Sequence, residues 1–481
     1  MATNLKEPPR DGKRASARDS MPDDHLPGSF RYNLGRIFQR LFSIGNSQSG
    51  RTAISAGAWS AFGYATTTVL RFISRVILAK FLSDASPMGD VAIIVVILAG
   101  LEMISDLGIG FGIVQHRKGQ DRTFLGTAFS VQALRGVGIW LIASALAQPI
   151  AWLYRDQELM GLMLFGALTT LFKAFSNPGI WLFTRGMDLR RPTFLTIGSE
   201  VLGFIVTVVW VIMFPSAWAI VGGTVASAAA YAVGSHLLAT RIRFAWNPGM
   251  ARDIIQFGGW MLISSGTYFL SSRGETLMLR GSIPDAEFGC FAFATMLVTT
   301  PVVGITQLAS QVFFPMLSAS MREDRARAER QFKLGKWAFT GVALCFVWGG
   351  IFVGPIIVEL MNLPPAFDGL TWMVPLLAVR ASLDILVAPT GSVLFAAGAS
   401  RYSAWANVIR LVVLVGGLFA IVPEWGLRGA MWILIGAPAI SYLALLPGVH
   451  RQMPGALKVD LTNLGVFWIG TAAALIIHFS I

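Results

Sequence analysis

Residues 57–70 read GAWSAFGYATTTVL, and residues 258–271 read GGWMLISSGTYFLS. Laid together, the stretches put Gly57 on Gly258 and Trp59 on Trp260. The same offset sets Asp84 against Asp285, and Gly89 meets Gly289 after a one-residue slip. Each stretch opens an apolar run long enough to cross about 30 Å of hydrocarbon at about 1.5 Å per residue. Gly and Trp are common in this chain, so the match is weak alone. It gains weight because an even number of segments separates the two copies, so both begin on the same side of a membrane. That is a parallel repeat: two six-helix halves related by an axis along the membrane normal.

Composition agrees with a membrane protein. Of 481 residues, 54% are hydrophobic and 13% charged, against roughly 25% charged in soluble domains. Apolar segments lie near 54–79, 89–114, 124–150, 159–184, 193–214, 217–239, 254–279, 288–317, 337–361, 370–397, 403–422, 427–448 and 462–480, which makes thirteen. The fold class is an all-α integral membrane protein: two six-helix bundles in a parallel pseudo-two-fold repeat, plus one extra C-terminal helix. Residues 1–53 form a polar tail without the apolar core of a cleavable signal, expected to remain and to be disordered. The expected domains are a first lobe at 54–240, an inter-lobe linker at 241–253, a second lobe at 254–450, and the additional helix within 451–481. Cys290 and Cys345 both sit in apolar runs, so neither a disulfide framework nor a Cys-based metal site is indicated.

The net charge of +12 would suggest nucleic acid in a soluble protein, but in a membrane protein it reports orientation. Eighteen Lys and Arg fall on one set of loops, among them Arg330, Lys333, Lys336 and Lys458, and the nine of the tail fall on the same side. The opposite loops hold only Lys80, Arg155, Arg280 and Arg428, against eight acids. By the positive-inside rule the amino terminus is cytoplasmic.

Thirteen ionisable residues remain inside the expected spans: Arg71, Arg75, Arg135, Lys173, Arg273, Arg380 and Arg410, with Glu102, Asp106, Glu200, Glu275, Glu359 and Asp384. Each costs about 2.5 to 3.5 kcal/mol at the centre of a bilayer on insertion scales, so they face an interior. Arg71 and Arg75, Glu102 and Asp106, and Arg380 and Asp384 are each four residues apart, hence on one helical face. Any one of them could belong to an ion pair that locks helices together. The basic set as a whole points to a cavity for an anionic ligand, since the planar, always-charged guanidinium suits phosphate. No P-loop, HExxH or GxSxG in a strand-turn-helix context occurs, so the reading is a transporter without metal or other cofactor, not an enzyme.

The block FISRVILAKFLSDASPMGDVAIIVVILAGLEMISDLGIGFGIVQHR at 72–117, with its LAKFLS and DLGIGFGIVQ pieces, resembles the Wzx-type polysaccharide and O-antigen flippases of the multidrug/oligosaccharidyl-lipid/polysaccharide superfamily. The segment WLFTRGMDLRRPTFL at 181–195 looks like that family's connection between helices 4 and 5. The resemblance covers most of 51–450. It implies alternating access that moves undecaprenyl-diphosphate-linked oligosaccharide from the cytoplasmic to the periplasmic leaflet of the bacterial inner membrane. Related lipid II flippases hold the diphosphate with cavity arginines, and Arg71, Arg75 and Arg273 occupy matching places. Arg135, Lys173, Arg380 and Arg410 would widen the positive field, and Glu102, Asp106, Glu275 and Asp384 would bind a coupling H⁺ or Na⁺. Implied partners are the lipid-linked oligosaccharide, membrane lipid, and polysaccharide polymerase or chain-length proteins, with no nucleic acid. A cation-coupled multidrug exporter of the same superfamily would instead predict an acidic or aromatic cavity. A polysaccharide polymerase would need larger outer loops than the short ones here.

Overall fold

A computed structural model describes residues 48–105, 109–115, 119–308 and 313–480. The tail at 1–47, Asp106, Arg117 and Lys118 lie outside the described residues. Residues Ala56–Ile481 form one compact unit; of the other, Met1–Ser55, only the helical end from Gln48 is described.

Every long element among the described residues is helical. In chain order they are α1 (Gln48–Phe81), α2 (Ser86–Ile104), α3 (Ile109–Gln115), α4 (Arg122–Tyr154), α5 (Glu158–Ala174), α6 (Ile180–Arg185), α7 (Arg190–Met213) and α8 (Ala217–Leu238). There follow α9 (Pro248–Arg280), α10 (Asp285–Leu308), α11 (Phe314–Glu323), α12 (Arg325–Trp348), α13 (Gly354–Met361), α14 (Leu370–Ala396), α15 (Ser400–Gln452) and α16 (Pro454–Ser480). Starts are written in the sequence. Asp121, Asn247 and Asp324 accept from the backbone N–H of Thr123, Met250 and Ala326, capping α4, α9 and α12.

Among the described residues, nine stretches are long and apolar enough to cross a membrane. One of them, Arg401–Gln452, must cross twice. Its helix, α15, has 53 residues, about 80 Å if straight and far longer than the hydrocarbon. At Gly426 (φ 57°, ψ −147°) the chain leaves helical geometry and folds back. Its two arms lie antiparallel: Ser441 Oγ donates to the Ala406 carbonyl at 3.0 Å, Gly448 abuts Tyr402, and Gly417 abuts Ile433. The helices α1, α5 and α9 occupy the remaining three of the thirteen expected positions. The last helix is a membrane-length span from Pro454 to Ile477.

Two expected spans break within the described residues. In the segment at 89–114, α2 ends at Ile104, where the Ser105 N–H bonds the Leu101 carbonyl; the segment at 288–317 is described as α10 to Leu308 and α11 from Phe314. The segment at 159–184 breaks after Ala174, where Pro178 supplies no N–H and the Asn177 side chain takes over. Its amide donates to the Thr240 carbonyl at 3.0 Å while its Oδ1 accepts from Gly179 N at 2.9 Å. A π-helical turn at Gly349–Val353 joins α12 to α13.

Packing falls into two sets. One pairs α4 with α5, α5 with α8 and α7 with α8; the other gathers α10, α12, α13 and α15 around α14, with α9 on α15 and α16 on α12. The sets meet where α2 packs on α9 and α10. Glycines allow the close approach there: a Cβ on Gly89 would stand 2.6 Å from the Phe288 ring and 3.4 Å from the Gly289 Cα, and one on Gly289 would meet the Ala85 carbonyl.

Two residues read as loop charges are fully buried. Lys336 and Asp460 are each 0% exposed and pair at 2.8 Å, fixing α16 to α12. The Lys336 ammonium also donates to the Leu386 carbonyl, Thr390 Oγ1 and the Tyr442 hydroxyl, and Asp460 Oδ1 accepts from Thr390 and Tyr442. A cation this deep needs that full set of partners. Lys336 lies a few turns inside a helix that begins at Arg325, twelve residues before the apolar run that marked the span.

Gly426 has open space around its Cα, so a methyl there meets no neighbour and pays only for backbone conformation. Gly426→Ala should lower stability by about 1 to 3 kcal/mol, whereas Gly416→Ala, also in open space but within a helix, should not lower it. Thermal unfolding of the two variants in detergent checks this.

Candidate functional site

Where the two helix sets face one another, α1, α2, α9 and α10 enclose a cavity of about 310 Å³. Arg71 and Arg75 reach it from α1 and Arg273 from α9, with Tyr64, Thr276 and four further threonines along the wall; no acidic residue lines it among the described residues. Arg71 is compensated by Glu200 of α7, its Nε donating to Oε2 at 3.1 Å. Among the described residues neither Arg75 nor Arg273 has a carboxylate within ion-pair distance. Two uncompensated guanidiniums and a supporting third therefore share one space. The Thr295 hydroxyl, buried in the same wall, has no hydrogen-bond partner among the described residues. Such a cavity can hold a compact polyanion through several charge-assisted hydrogen bonds.

The structure does not bring the other four expected cations here. Arg135 and Lys173 line a separate cavity of about 250 Å³ among α2, α4, α5 and α6. There Arg135 donates to the Glu102 carbonyl at 2.8 Å and to Ser105 Oγ at 3.2 Å, satisfying the end of α2, and Lys173 pairs with the Glu102 carboxylate at 3.1 Å. Arg380 is sealed against Glu275, with side chains 5% and 6% exposed. Arg410 pairs with Asp384 at 3.0 Å. Three of the four acids read as ion-coupling residues thus already hold a cation, and Asp106 lies outside the described residues. The four-residue spacing of Arg380 and Asp384 does place both on one face of α14, but each turns to a different neighbour, α9 or α15.

The outer-loop reading of Arg280 is corrected as well. Its side chain is 1% exposed, at the end of α9. It donates at 2.9 Å to Asp90 of α2 and at 2.9 Å to Asp156 after α4, and pairs with Asp285 at the start of α10. Phe288 lies beneath the guanidinium, 5.8 Å from ring centre to Cζ. The Tyr154 hydroxyl reinforces the junction by donating to the Leu277 carbonyl at 2.9 Å. This cluster ties the two helix sets together at one end of the arginine cavity. The sequence held a signal for it: loops on that side carry eight acids and only four bases, so clustered acids there need a shared cation.

Residues 77–361, more than half of the chain, match a family described as "Polysaccharide biosynthesis protein". The teichuronic acid biosynthesis protein TuaB of Bacillus subtilis (strain 168) is 23% identical over 71% of this chain and 71% of its own length. The lipopolysaccharide biosynthesis protein WzxC of Escherichia coli (strain K12) is 22% identical over 80% and 77%. Among solved structures, the lipid II flippase MurJ in an inward closed conformation superposes with a TM-score of 0.66 at 11% identity, over 89% of this chain and 96% of that one. At that identity the likeness establishes the fold alone: a bundle of membrane-length helices.

Pairing separates structural arginines from cavity arginines. Arg380→Ala strands the buried Glu275 and should cost about 3 to 5 kcal/mol. Arg75→Ala and Arg273→Ala strand nothing and should cost less than about 1 kcal/mol. Unfolding midpoints of the three purified variants measure the difference.

Proposed function

The chain belongs to the polysaccharide biosynthesis protein family, and from that premise we propose that it flips undecaprenyl-diphosphate-linked oligosaccharide across the bacterial inner membrane by alternating access, with its amino terminus in the cytoplasm. The observation that carries this is the cavity lined by Arg71, Arg75 and Arg273 with no acid in its wall. A drug exporter for cationic compounds would be repelled by it; a diphosphate is attracted.

At liquid density about 310 Å³ is room for roughly ten waters. A diphosphate fits whole, and the attached oligosaccharide extends beyond the cavity into water while the polyprenyl tail stays in lipid. Binding begins with Arg75 and Arg273, one from each lobe, so the diphosphate draws residues 54–240 and 254–450 together from both sides. Arg71, steadied by Glu200, supplies the third contact. The contact of Gly89 with Gly289 supports the pseudo-two-fold, because residues equivalent under such an axis meet each other where it passes between the halves.

The Arg280 cluster serves as the outer gate in this scheme, and the positive-inside orientation supports placing it on the periplasmic side. Opening outward requires Asp90 and Asp156 to leave Arg280 and be hydrated. Coupling rests with Glu102 and Asp384, whose side chains are 31% and 36% exposed; an incoming cation can reach them by displacing Lys173 or Arg410. Glu275 is too deeply sealed for that exchange.

In cells, Arg75→Ala and Arg273→Ala should reduce surface polysaccharide at least tenfold, with the protein still in the membrane and single lipid-linked repeat units accumulating inside. Normal export in both variants overturns the cavity assignment. For the gate, Thr299 of the cavity wall is replaced by Cys in a background with Cys290 and Cys345 removed. A membrane-impermeant maleimide added outside should label it slowly, and severalfold faster once Arg280→Ala is introduced; unchanged labelling would remove Arg280 from the gate.

A further inference from the structure

Away from the arginine cavity, a groove of about 620 Å³ lies between the first turns of α12 and α16. It shares no lining residue with the arginine cavity. Arg330, Lys333 and Trp337 face it from α12, spaced three and four residues apart on one helical face, and Lys458 and Thr462 face it from α16, again four apart. Among the described residues none of the three cations has an ion pair or a side-chain hydrogen bond. The acidic member of the lining, Glu329, rests on Gly455, its carboxylate 3.1 Å from where a Cβ would stand. Gly455 is the second residue of α16, so this carboxylate lies at the positive end of that helix, and the lining carries three cations against one acid. The walls are fixed in register by the Lys336–Asp460 pair, one residue from Trp337 and from Val459 of the lining.

Both walls are helices that continue into the bilayer. Trp337, 41% exposed, suits the level where ring meets headgroup. A basic groove between transmembrane helices at that depth fits a lipid phosphate better than a soluble anion, because the helix faces below offer acyl chains a path that a free anion does not use.

We propose that this groove is a binding site for the headgroup of an anionic phospholipid, which on the orientation proposed above belongs to the cytoplasmic leaflet. Arg330, Lys333 and Lys458 neutralise the phosphate, Thr462 takes a headgroup hydroxyl, and Trp337 marks the boundary with the acyl region. The lipid is a resident that braces α16 against α12, not the transported cargo.

The test uses the full-length protein purified in detergent micelles, with retained lipid counted by native mass spectrometry. Phosphatidylglycerol and phosphatidylcholine are titrated separately, then phosphatidylglycerol in competition with inorganic phosphate. Phosphatidylglycerol should bind at least fivefold more tightly than phosphatidylcholine, and millimolar phosphate should not displace it. Lys333→Gln and Lys458→Gln, both at exposed or half-exposed positions, should each weaken phosphatidylglycerol about fivefold, the factor expected for one basic side chain at an anionic surface. The triple variant Arg330→Gln/Lys333→Gln/Lys458→Gln should erase the preference. Equal retention of the two lipids, an unchanged preference in the triple variant, or displacement by phosphate would each overturn the site. Arg75→Ala/Arg273→Ala should keep the preference; if that variant loses it instead, the lipid sits in the arginine cavity and the groove is refuted. Failure of the export experiment leaves this outcome untouched, so the two proposals stand or fall apart.

Discussion

A charge inside hydrocarbon has to be paired or hydrated, and the arrangement of this molecule follows from how each one meets that demand. Arg380 with Glu275, Lys336 with Asp460, and Arg410 with Asp384 join helices within the second set. Arg71 with Glu200 and Lys173 with Glu102 do the same in the first. Among the described residues, the embedded cations left without a carboxylate or carbonyl partner are Arg75 and Arg273, on opposite sides of one cavity. An ion pair is a reason for two helices to stay together. An arginine left without one is a reason for an anion to arrive.

Much of the fold was legible in the sequence because hydropathy and length are local properties. Segment positions, the gap between α8 and α9 and the gap between α7 and α8 all follow from runs of apolar residues, and even the turn at Gly426 falls between two expected spans. The arginines that share one cavity, Arg71, Arg75 and Arg273, stand out for a related reason: each is a cation inside an apolar run. Partners were not legible. Spacing along a helix reports a shared face, but Arg380 and Asp384 share a face and bind different neighbours, a fact that depends on which helices pack beside α14. Hydropathy also misplaced Lys336 and Arg280. A window average sees a charge as a boundary, but α12 runs through Lys336 and α9 ends on a buried Arg280, because other chain segments bring the counter-charges.

The broken helices have a comparable origin. Pro178 marks one break plainly, but the continuation of the backbone through Asn177 relies on Thr240 and Ser235 from another part of the chain. Irregular backbone at membrane depth is tolerated where protein supplies the missing partners. The sequence names the position that lacks a hydrogen bond, and only the packed structure names the group that replaces it.

The glycine contact between Gly89 and Gly289 gives the junction of the two helix sets an unusual mechanical character. Neither position has room for a side chain, with Gly289 against the Ala85 carbonyl and Gly89 against the Phe288 ring, so the halves cannot part without drawing Phe288 away from Gly89. The hold at that end is electrical, vested in Arg280 and the carboxylates around it. Separation then requires solvating a guanidinium and its acids as well as uncovering the apolar contact that Phe288 makes, which makes water a participant in the opening of the joint.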